Sequence, residues 1–291
     1  MIRKHVEKES RTGSITFYSK EQVQCPICST KFKREELHSG GGRLIAGDLT
    51  DELRRLYEPS AKYGEIFPTV YNLTVCHKCL YTAFPQDFSV PPRPIIEKLF
   101  ENTEARYDAI KGLFHNIDFT KSRGLNEGAA SYYLAIMCYE VFEEKFSPTI
   151  KQAICAIRAA WLFDELGKKY PEENYKYVSD LFYQKATFLY RRALELESTG
   201  EEIIAGLKSF GPDVDKNYGY DGIIYLSALL EYKYGQKIDM EMRLKRLDYH
   251  KFALAKMFGL GKSSKNKPGP ILEAARSLYD ILKVELKDVE E

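Results

Sequence analysis

The sequence predicts an α+β fold that is predominantly α-helical, with a small β module followed by an antiparallel helical array. Three observations indicate this organisation. Short β-like runs surround two pairs of cysteines near the N-terminus, a proline-rich segment follows at residues 85–94, and helical periodicity dominates the remainder of the chain. We therefore expect one domain at residues 15–90 and a second domain at residues 95–287.

The near-neutral net charge excludes binding to nucleic acid that depends on a large positive charge of the whole protein. The 291 residues include 43 Lys and Arg and 42 Asp and Glu, which gives a formal net charge of +1. A chain this close to neutrality lacks the general attraction for phosphate of a strongly basic protein. A local basic patch remains compatible with this balance.

The sequence leads us to expect a soluble cytoplasmic protein that does not associate with membranes. The segment Met1–Glu7 lacks the apolar core of a signal peptide, and no run of about 18 apolar residues occurs. Six cysteines in a chain of this length, four of them in Cys-x-x-Cys pairs, favour metal binding in a reducing compartment over a disulfide framework.

The two cysteine pairs predict a four-thiolate zinc site. They are Cys25-Pro26-Ile27-Cys28 and Cys76-His77-Lys78-Cys79, and each can supply two sulfurs from one tight turn. The 47 residues from Ser29 to Val75 separate the pairs, against roughly 15–20 in a compact zinc ribbon. We expect Cys25, Cys28, Cys76 and Cys79 to hold one structural zinc ion, which makes the module at 15–90 zinc-ribbon-like.

Two alternatives to zinc remain open for these cysteines. The tetrad Cys25-Pro26-Ile27-Cys28 also suits a redox dithiol, although the second pair and the lack of a βαβ pattern around the first argue against it. The sequence also does not distinguish zinc from iron as the metal. Four thiolates fill a tetrahedral site and leave no position for a catalytic water, so we predict that the protein is not an enzyme.

No other group of residues predicts a catalytic or cofactor-binding site. His77 lies between two cysteines of the second pair and is expected to face solvent. Cys138 and Cys155 lie on apolar helix faces and are expected to be inert core thiols. Gly40-Gly41-Gly42 is not followed by the Lys-Ser/Thr of a phosphate-binding loop.

The first cysteine pair is predicted to lie at the turn of a β-hairpin. Its strands are formed by Ile15–Tyr18 with Val23–Cys25 on one side and by Thr30–Phe32 on the other. In the insertion between the pairs, Thr50 is a plausible N-cap for a short helix over Asp51–Tyr57. Strands at residues 70–75 and 80–84 are predicted on either side of the second pair.

After the prolines of residues 85–94, the hydrophobic spacing predicts a succession of helices joined by short loops. In chain order, these helices are predicted at about residues 95–114, 132–146, 148–167, 171–197, 223–234, 239–259 and 271–286.

An internal repeat indicates that this array is TPR-like. The pattern Ala153-x3-Ile157-x2-Ala160 recurs 33 residues later as Ala186-x3-Tyr190-x2-Ala193, close to the period of about 34 residues in tetratricopeptide repeats. The first-helix signature of that repeat is not met around Trp161. Helical heptads alone remain an alternative explanation for the match.

The chain resembles a bacterial family catalogued as domain of unknown function 2225, over about residues 15–235. The resemblance is carried by Cys25-Pro26-Ile27-Cys28 with Phe32, Arg43, Asp48–Tyr57, Tyr71, Cys76-His77-Lys78-Cys79 with Tyr81, Ala83-Phe84 and Asp87-Phe88. It implies a zinc-bound, helical interaction protein and assigns no activity. The family's second pair is usually followed by glycine, whereas this chain has Leu80 there, a departure that affects only the local turn.

Our leading hypothesis is a non-enzymatic zinc-binding adaptor that binds a protein or peptide partner through a groove of the helical array. The identity of the partner and the oligomeric state are not predicted. A thiol redox protein is one alternative.

A nucleic-acid-binding zinc ribbon is another alternative, with Phe32 or Tyr71 stacking on a base. Its candidate phosphate contacts are Lys31, Lys33, Arg34, Arg43, Arg54 and Arg55. Acidic residues interleave with these cations, and we therefore do not expect nucleic acid to be a partner. They are Glu35, Glu36, Asp51, Glu52 and Glu58.

Overall fold

A computed structural model describes residues 14–38, 40–204, 207, 211–258 and 269–287. Within these ranges the chain is predominantly helical, with small two-stranded antiparallel sheets in its N-terminal part. The predicted α+β class with a majority of helix is therefore confirmed. None of the described helices is both long and apolar enough to cross a membrane.

The first hairpin agrees with the prediction. Strand β1 (Thr16–Gln24) pairs with β2 (Lys31–Leu37), and Gln24 lies opposite Lys31. The first cysteine pair therefore forms the turn between the two strands. A register shift between Tyr18 and Gln22 interrupts the ladder and lets β1 contain two more residues than β2.

The predicted helix over Asp51–Tyr57 is wrong. Residues Arg55–Glu58 form strand β4, which pairs antiparallel with β3 (Ile45–Leu49). Leu53 has a φ of 59°, a left-handed conformation that reverses the chain between the two strands and is incompatible with a helix. The Leu53 N–H donates to Thr50 O, and the Arg54 N–H donates to the Thr50 hydroxyl. The hydroxyl expected to cap a helix therefore closes a turn.

The strands around the second cysteine pair are shorter than predicted. Residues Pro68–Tyr71 form a 3-10 helix, and only β5 (Thr74–Val75) and β6 (Thr82–Ala83) pair as strands. The fixed φ of Pro68 suits the first turn of a helix, which removes residues 70 and 71 from the predicted strand.

The proline-rich segment and the helix after it are more finely divided than predicted. Residues Pro85–Phe88 form a short helix, α1, and the chain then continues into α2 (Arg93–Glu101) and α3 (Thr103–Leu113). The predicted helix at 95–114 is thus broken at Asn102, whose φ and ψ of −82° and 13° depart from helical values.

The remaining helices follow the predicted order. They are α4 (Leu125–Tyr139), α5 (Pro148–Lys169), α6 (Tyr175–Thr199), α7 (Gly219–Tyr234), α8 (Met240–Phe258) and α9 (Gly269–Lys287), with a 3-10 helix at Glu144–Phe146 before α5. Helix α4 begins seven residues earlier than predicted, because the Glu127 carboxylate accepts a hydrogen bond from the Gly124 N–H and caps that end.

Each helix from α4 to α9 packs against its neighbours in the chain, and α5 lies at the centre with most of its side chains buried. The alanines of the internal repeat, including Ala153, Ala160, Ala186 and Ala193, are fully buried in α5 and α6. Small side chains of this kind let the two helices approach closely. The TPR-like arrangement itself stays a prediction.

Buried side chains of the N-terminal part and of the helices form one continuous hydrophobic core. Tyr81 stacks on Phe88 at 4.7 Å between ring centroids, and Phe84 lies 6.1 Å from Tyr139 of α4. The division into domains at 15–90 and 95–287 stays a prediction.

One buried carboxylate from the β3–β4 turn enters the helical array. Glu52 Oε2 accepts hydrogen bonds from Trp161 Nε1 in α5 and from the Tyr183 hydroxyl in α6, the latter at 3.0 Å. The Tyr234 hydroxyl of α7 lies 3.5 Å from Oε1. Glu52 therefore connects three helices to the N-terminal part of the chain.

We predict that Glu52→Ala lowers the free energy of unfolding by about 2–4 kcal/mol, since it leaves two buried donors without an acceptor. Denaturant titration measures this change. The control is Glu58→Ala, the same substitution at an exposed position of β4, which should change stability by no more than about 0.5 kcal/mol. Equal effects of the two substitutions would contradict the role of Glu52.

Candidate metal centre

The two cysteine pairs form turns with the same backbone hydrogen bonds. In the first turn, the Cys25 N–H donates to Thr30 O and the Ser29 N–H donates to Cys25 O, both at 2.9 Å. In the second turn, Cys76 N–H donates to Tyr81 O and Leu80 N–H donates to Cys76 O, again at 2.9 Å. The second turn therefore repeats the first, 51 residues later.

The residue after the second cysteine of each turn has a left-handed backbone. Ser29 has a φ of 60° and Leu80 a φ of 57°. Glycine adopts this conformation without steric strain, which explains why glycine suits the position that Leu80 occupies. The Leu80 side chain is 5% exposed within the core, so its packing opposes the backbone strain.

The turns bring the four sulfurs together. Cys25 Sγ lies 3.6 Å from Cys79 Sγ, Cys28 Sγ lies 3.5 Å from Cys76 Sγ, and all four sulfurs lie within 4.8 Å of one another. Tetrahedral zinc with Zn–S bonds of about 2.3 Å requires sulfurs about 3.8 Å apart. The four predicted cysteines therefore form a cluster that can hold a metal ion.

The neighbouring thiols shift one another's pKa values in opposite directions. The Cys25 and Cys79 thiols lower the pKa of Cys76, and the N–H groups of Cys79 and Lys78 contribute. The neighbouring Cys76 raises the pKa of Cys25, and the pKa of Cys79 is raised chiefly by Cys25. Full ionisation of four adjacent thiols requires a positive charge among them, which a metal ion provides.

An arginine of α3 donates hydrogen bonds to the backbone of the second turn. Arg106 Nε and Nη2 donate to Cys79 O at 3.0 and 2.8 Å, and Nη1 donates to Leu99 O at 2.8 Å. The guanidinium is buried, and the neighbouring Tyr107 hydroxyl donates to Lys78 O at 2.6 Å. Helix α3 therefore fixes the backbone that presents Cys76 and Cys79.

A second arginine fixes the first hairpin. Arg123, before α4, has its N–H donating to Glu35 Oε2 at 3.0 Å and its Nη1 donating to Leu73 O at 2.9 Å. Its Nε lies 3.5 Å from the same Glu35 oxygen, and both side chains are buried. Glu35 is thus a structural partner of Arg123 and connects β2 to the segment that leads to the second turn.

The other candidate residues lie outside the four-sulfur cluster. The His77 ring is half-buried and contacts Phe32 edge to face at 5.8 Å between centroids. Cys138 and Cys155 are buried in α4 and α5, and burial raises the pKa of Cys138 to about 11. Cys138 Sγ accepts a hydrogen bond from the Thr82 N–H at 3.4 Å.

Four of the cations proposed to contact phosphate line two different cavities. Lys33 and Arg34 line a cavity beside Phe32 and His77, whereas Arg54 and Arg55 line another one. Three of these cations are paired: Arg34 with Glu36 at 2.7 Å, Arg54 with Glu165 at 3.1 Å, and Arg55 with Asp215 at 3.1 Å.

We predict that Ser29→Gly stabilises the folded protein by about 0.5–1 kcal/mol, because glycine relieves the left-handed backbone at an exposed position. The matched control is Ser29→Ala, which removes the hydroxyl but keeps the Cβ and should give no gain. Thermal unfolding measures both. A destabilised glycine variant would contradict the assigned backbone conformation.

Comparison of the sequence with known proteins identifies relatives of this chain. A family model described as "Uncharacterized protein conserved in bacteria (DUF2225)" matches residues 18–282. An uncharacterized protein of Borreliella burgdorferi is 44% identical over 276 residues, which cover 94% of this chain and 99% of that protein. No solved structure matches the chain. The match over most of the sequence shows that this chain belongs to the bacterial DUF2225 family.

Proposed function

We propose that Cys25, Cys28, Cys76 and Cys79 hold one structural zinc ion. The observation that carries this proposal is the cluster of four sulfurs within 4.8 Å, supplied by two turns with matching backbone hydrogen bonds. Four thiolates are a common ligand set for structural zinc. The ion joins β1–β2 to β5–β6 and so closes the loop between the two cysteine pairs.

Metal analysis of protein purified without chelator tests the zinc site. We predict about one zinc per chain for the wild type and a large loss of zinc for Cys76→Ser, since removing one thiolate opens the ligand set. Cys155→Ala is the control, because Cys155 is a buried cysteine outside the cluster. Wild-type protein without stoichiometric zinc, or with iron in its place, would contradict the proposal.

The adaptor role extends this proposal to the helices. We propose that the protein is a non-enzymatic cytoplasmic adaptor and that its helical domain binds a protein or peptide partner. The exposed apolar side chains of α6 support this role, because large apolar residues in one helix face suit a partner surface. Tyr177, Leu181 and Phe188 are all exposed on α6, and Phe188 is 54% exposed. Four cysteine ligands would fill the tetrahedral positions of the metal and leave none for a catalytic water, which supports a role without catalysis at the metal.

A comparison of partner capture tests the adaptor role. We predict that Leu181→Ser combined with Phe188→Ser reduces capture of the wild type's partners by at least about tenfold, the equivalent of about 1.4 kcal/mol. Phe100→Ser on α2 is the control, because Phe100 is 62% exposed and lies on a different helix.

Quantitative cross-linking with the zinc-loaded full chain provides the measurement. Partners captured equally by the wild type and by the α6 double variant would exclude this face as the binding surface. The α6 face would also be excluded if the Phe100→Ser control lost the same partners to the same extent as the double variant.

A further inference from the structure

Helices α6, α7 and α8 line a cavity that is open to solvent on one side and lies apart from the four cysteines. Its volume is about 540 Å³, within the range of about 300–1,000 Å³ that is usual for small-molecule sites. Its lining includes Arg191, Leu194, Ser227, Met242, Arg246 and His250. The cavity combines apolar walls with several polar and charged groups.

Two polar side chains of this cavity are deeply buried without a hydrogen-bond partner. Ser227 is 1% exposed and His250 is 2% exposed. Among the described residues, neither Ser227 Oγ nor His250 Nδ1 has a partner. Buried polar atoms in folded proteins nearly always have a partner. Of the seven unpartnered atoms among the described residues, these two belong to residues that line one cavity, where a ligand has room to supply the partners.

Arginines next to the cavity make it electropositive. Arg191 and Arg246 each lie 3.5 Å from the same buried carboxylate, that of Glu231. At the exposed rim, Glu195 pairs with Arg191 at 3.7 Å and with Arg192 at 3.4 Å. Three guanidinium groups therefore share two carboxylates. The Lys245 ammonium pairs with Glu241 at 2.6 Å, so one positive charge remains in excess.

The same environment keeps the buried imidazole neutral. Burial, together with the charges of Arg191 and Arg246, lowers the pKa of His250 to about 4. A neutral imidazole has one N–H donor and one acceptor nitrogen, so it can form a directed hydrogen bond without adding a charge.

We propose that this cavity binds a small organic anion. The carboxylate or phosphate group of the ligand is held by Arg191 and Arg246, and its polar atoms bond to Ser227 Oγ and His250 Nδ1. The apolar body of the ligand packs against Leu194, Met242 and Tyr249, which line the same cavity. This site is separate from the zinc ion, and it adjoins the α6 surface proposed to bind a partner, because the Arg191 guanidinium lies 5.8 Å from the centroid of the Phe188 ring.

Titration of the zinc-loaded full chain with phenyl phosphate and with benzoate tests this proposal. The two probes combine a phosphate or a carboxylate with an apolar ring, and benzyl alcohol is the uncharged control. At least one anionic probe should bind saturably and shift the NMR signals of the His250 ring, which a His250→Gln variant assigns. Benzyl alcohol should bind at least about tenfold more weakly, because it lacks the charge held by the arginines.

A pair of matched variants locates the binding. Ser227→Ala removes one of the two buried hydrogen-bonding groups and should weaken binding of the probe by about 5- to 10-fold. Tyr190→Phe is the control, because the Tyr190 hydroxyl is equally buried and without a partner in the described structure, yet does not line the cavity. This variant should bind as the wild type does.

The proposal is overturned if neither anionic probe shifts the His250 signals, or if benzyl alcohol binds as tightly as they do. It is also overturned if Ser227→Ala leaves the affinity for a bound probe unchanged. Loss of zinc binding or of partner capture would not produce any of these outcomes, so failure here is distinguishable from failure of the proposed function.

Discussion

The meeting of four cysteine sulfurs at one point is the constraint on which the N-terminal part of the structure depends. It ties together two turns that are 51 residues apart in the chain, with cross-turn sulfur distances of 3.5 and 3.6 Å. Strands β5 and β6 on either side of the second turn have two residues each, and an isolated two-stranded sheet is marginally stable at best. The metal ion that we propose for the cluster supplies a cross-link between these small elements.

The same region is also fixed to the helices by buried polar contacts. Arg106 holds the carbonyl of Cys79, Arg123 holds Glu35 of the first hairpin, and Glu52 accepts hydrogen bonds from Trp161 and Tyr183. Each contact satisfies groups that burial alone would leave unpaired, so removing one partner is costly. Buried contacts consequently join the region of the metal site to the helices, and a change in one is expected to affect the parts of the other that it contacts.

Structural elements with local sequence signals could be predicted, whereas contacts between residues far apart in the chain could not. The cysteine spacing, the first hairpin and helix α5 behind Pro148 have local signals, and the structure contains all three. Helix propensity misled at residues 51–57, where pairing of β4 with β3 overrides it. The burial of four side chains could not be predicted: Glu52, Arg106, Arg123 and His250. Charged and polar residues are usually exposed to solvent, and only the tertiary structure shows which of them are buried.

We propose that a metal ion bound by the four cysteines holds the two turns against the helices. Backbone hydrogen exchange of the full chain, measured before and after the metal is removed under reducing conditions, shows whether the turns depend on the metal. We expect amides at residues 25–30 and 76–81, and those of α3 around Arg106, to lose protection on metal removal while α8 and α9 keep theirs. Unchanged protection of the two turns after complete metal removal would contradict it.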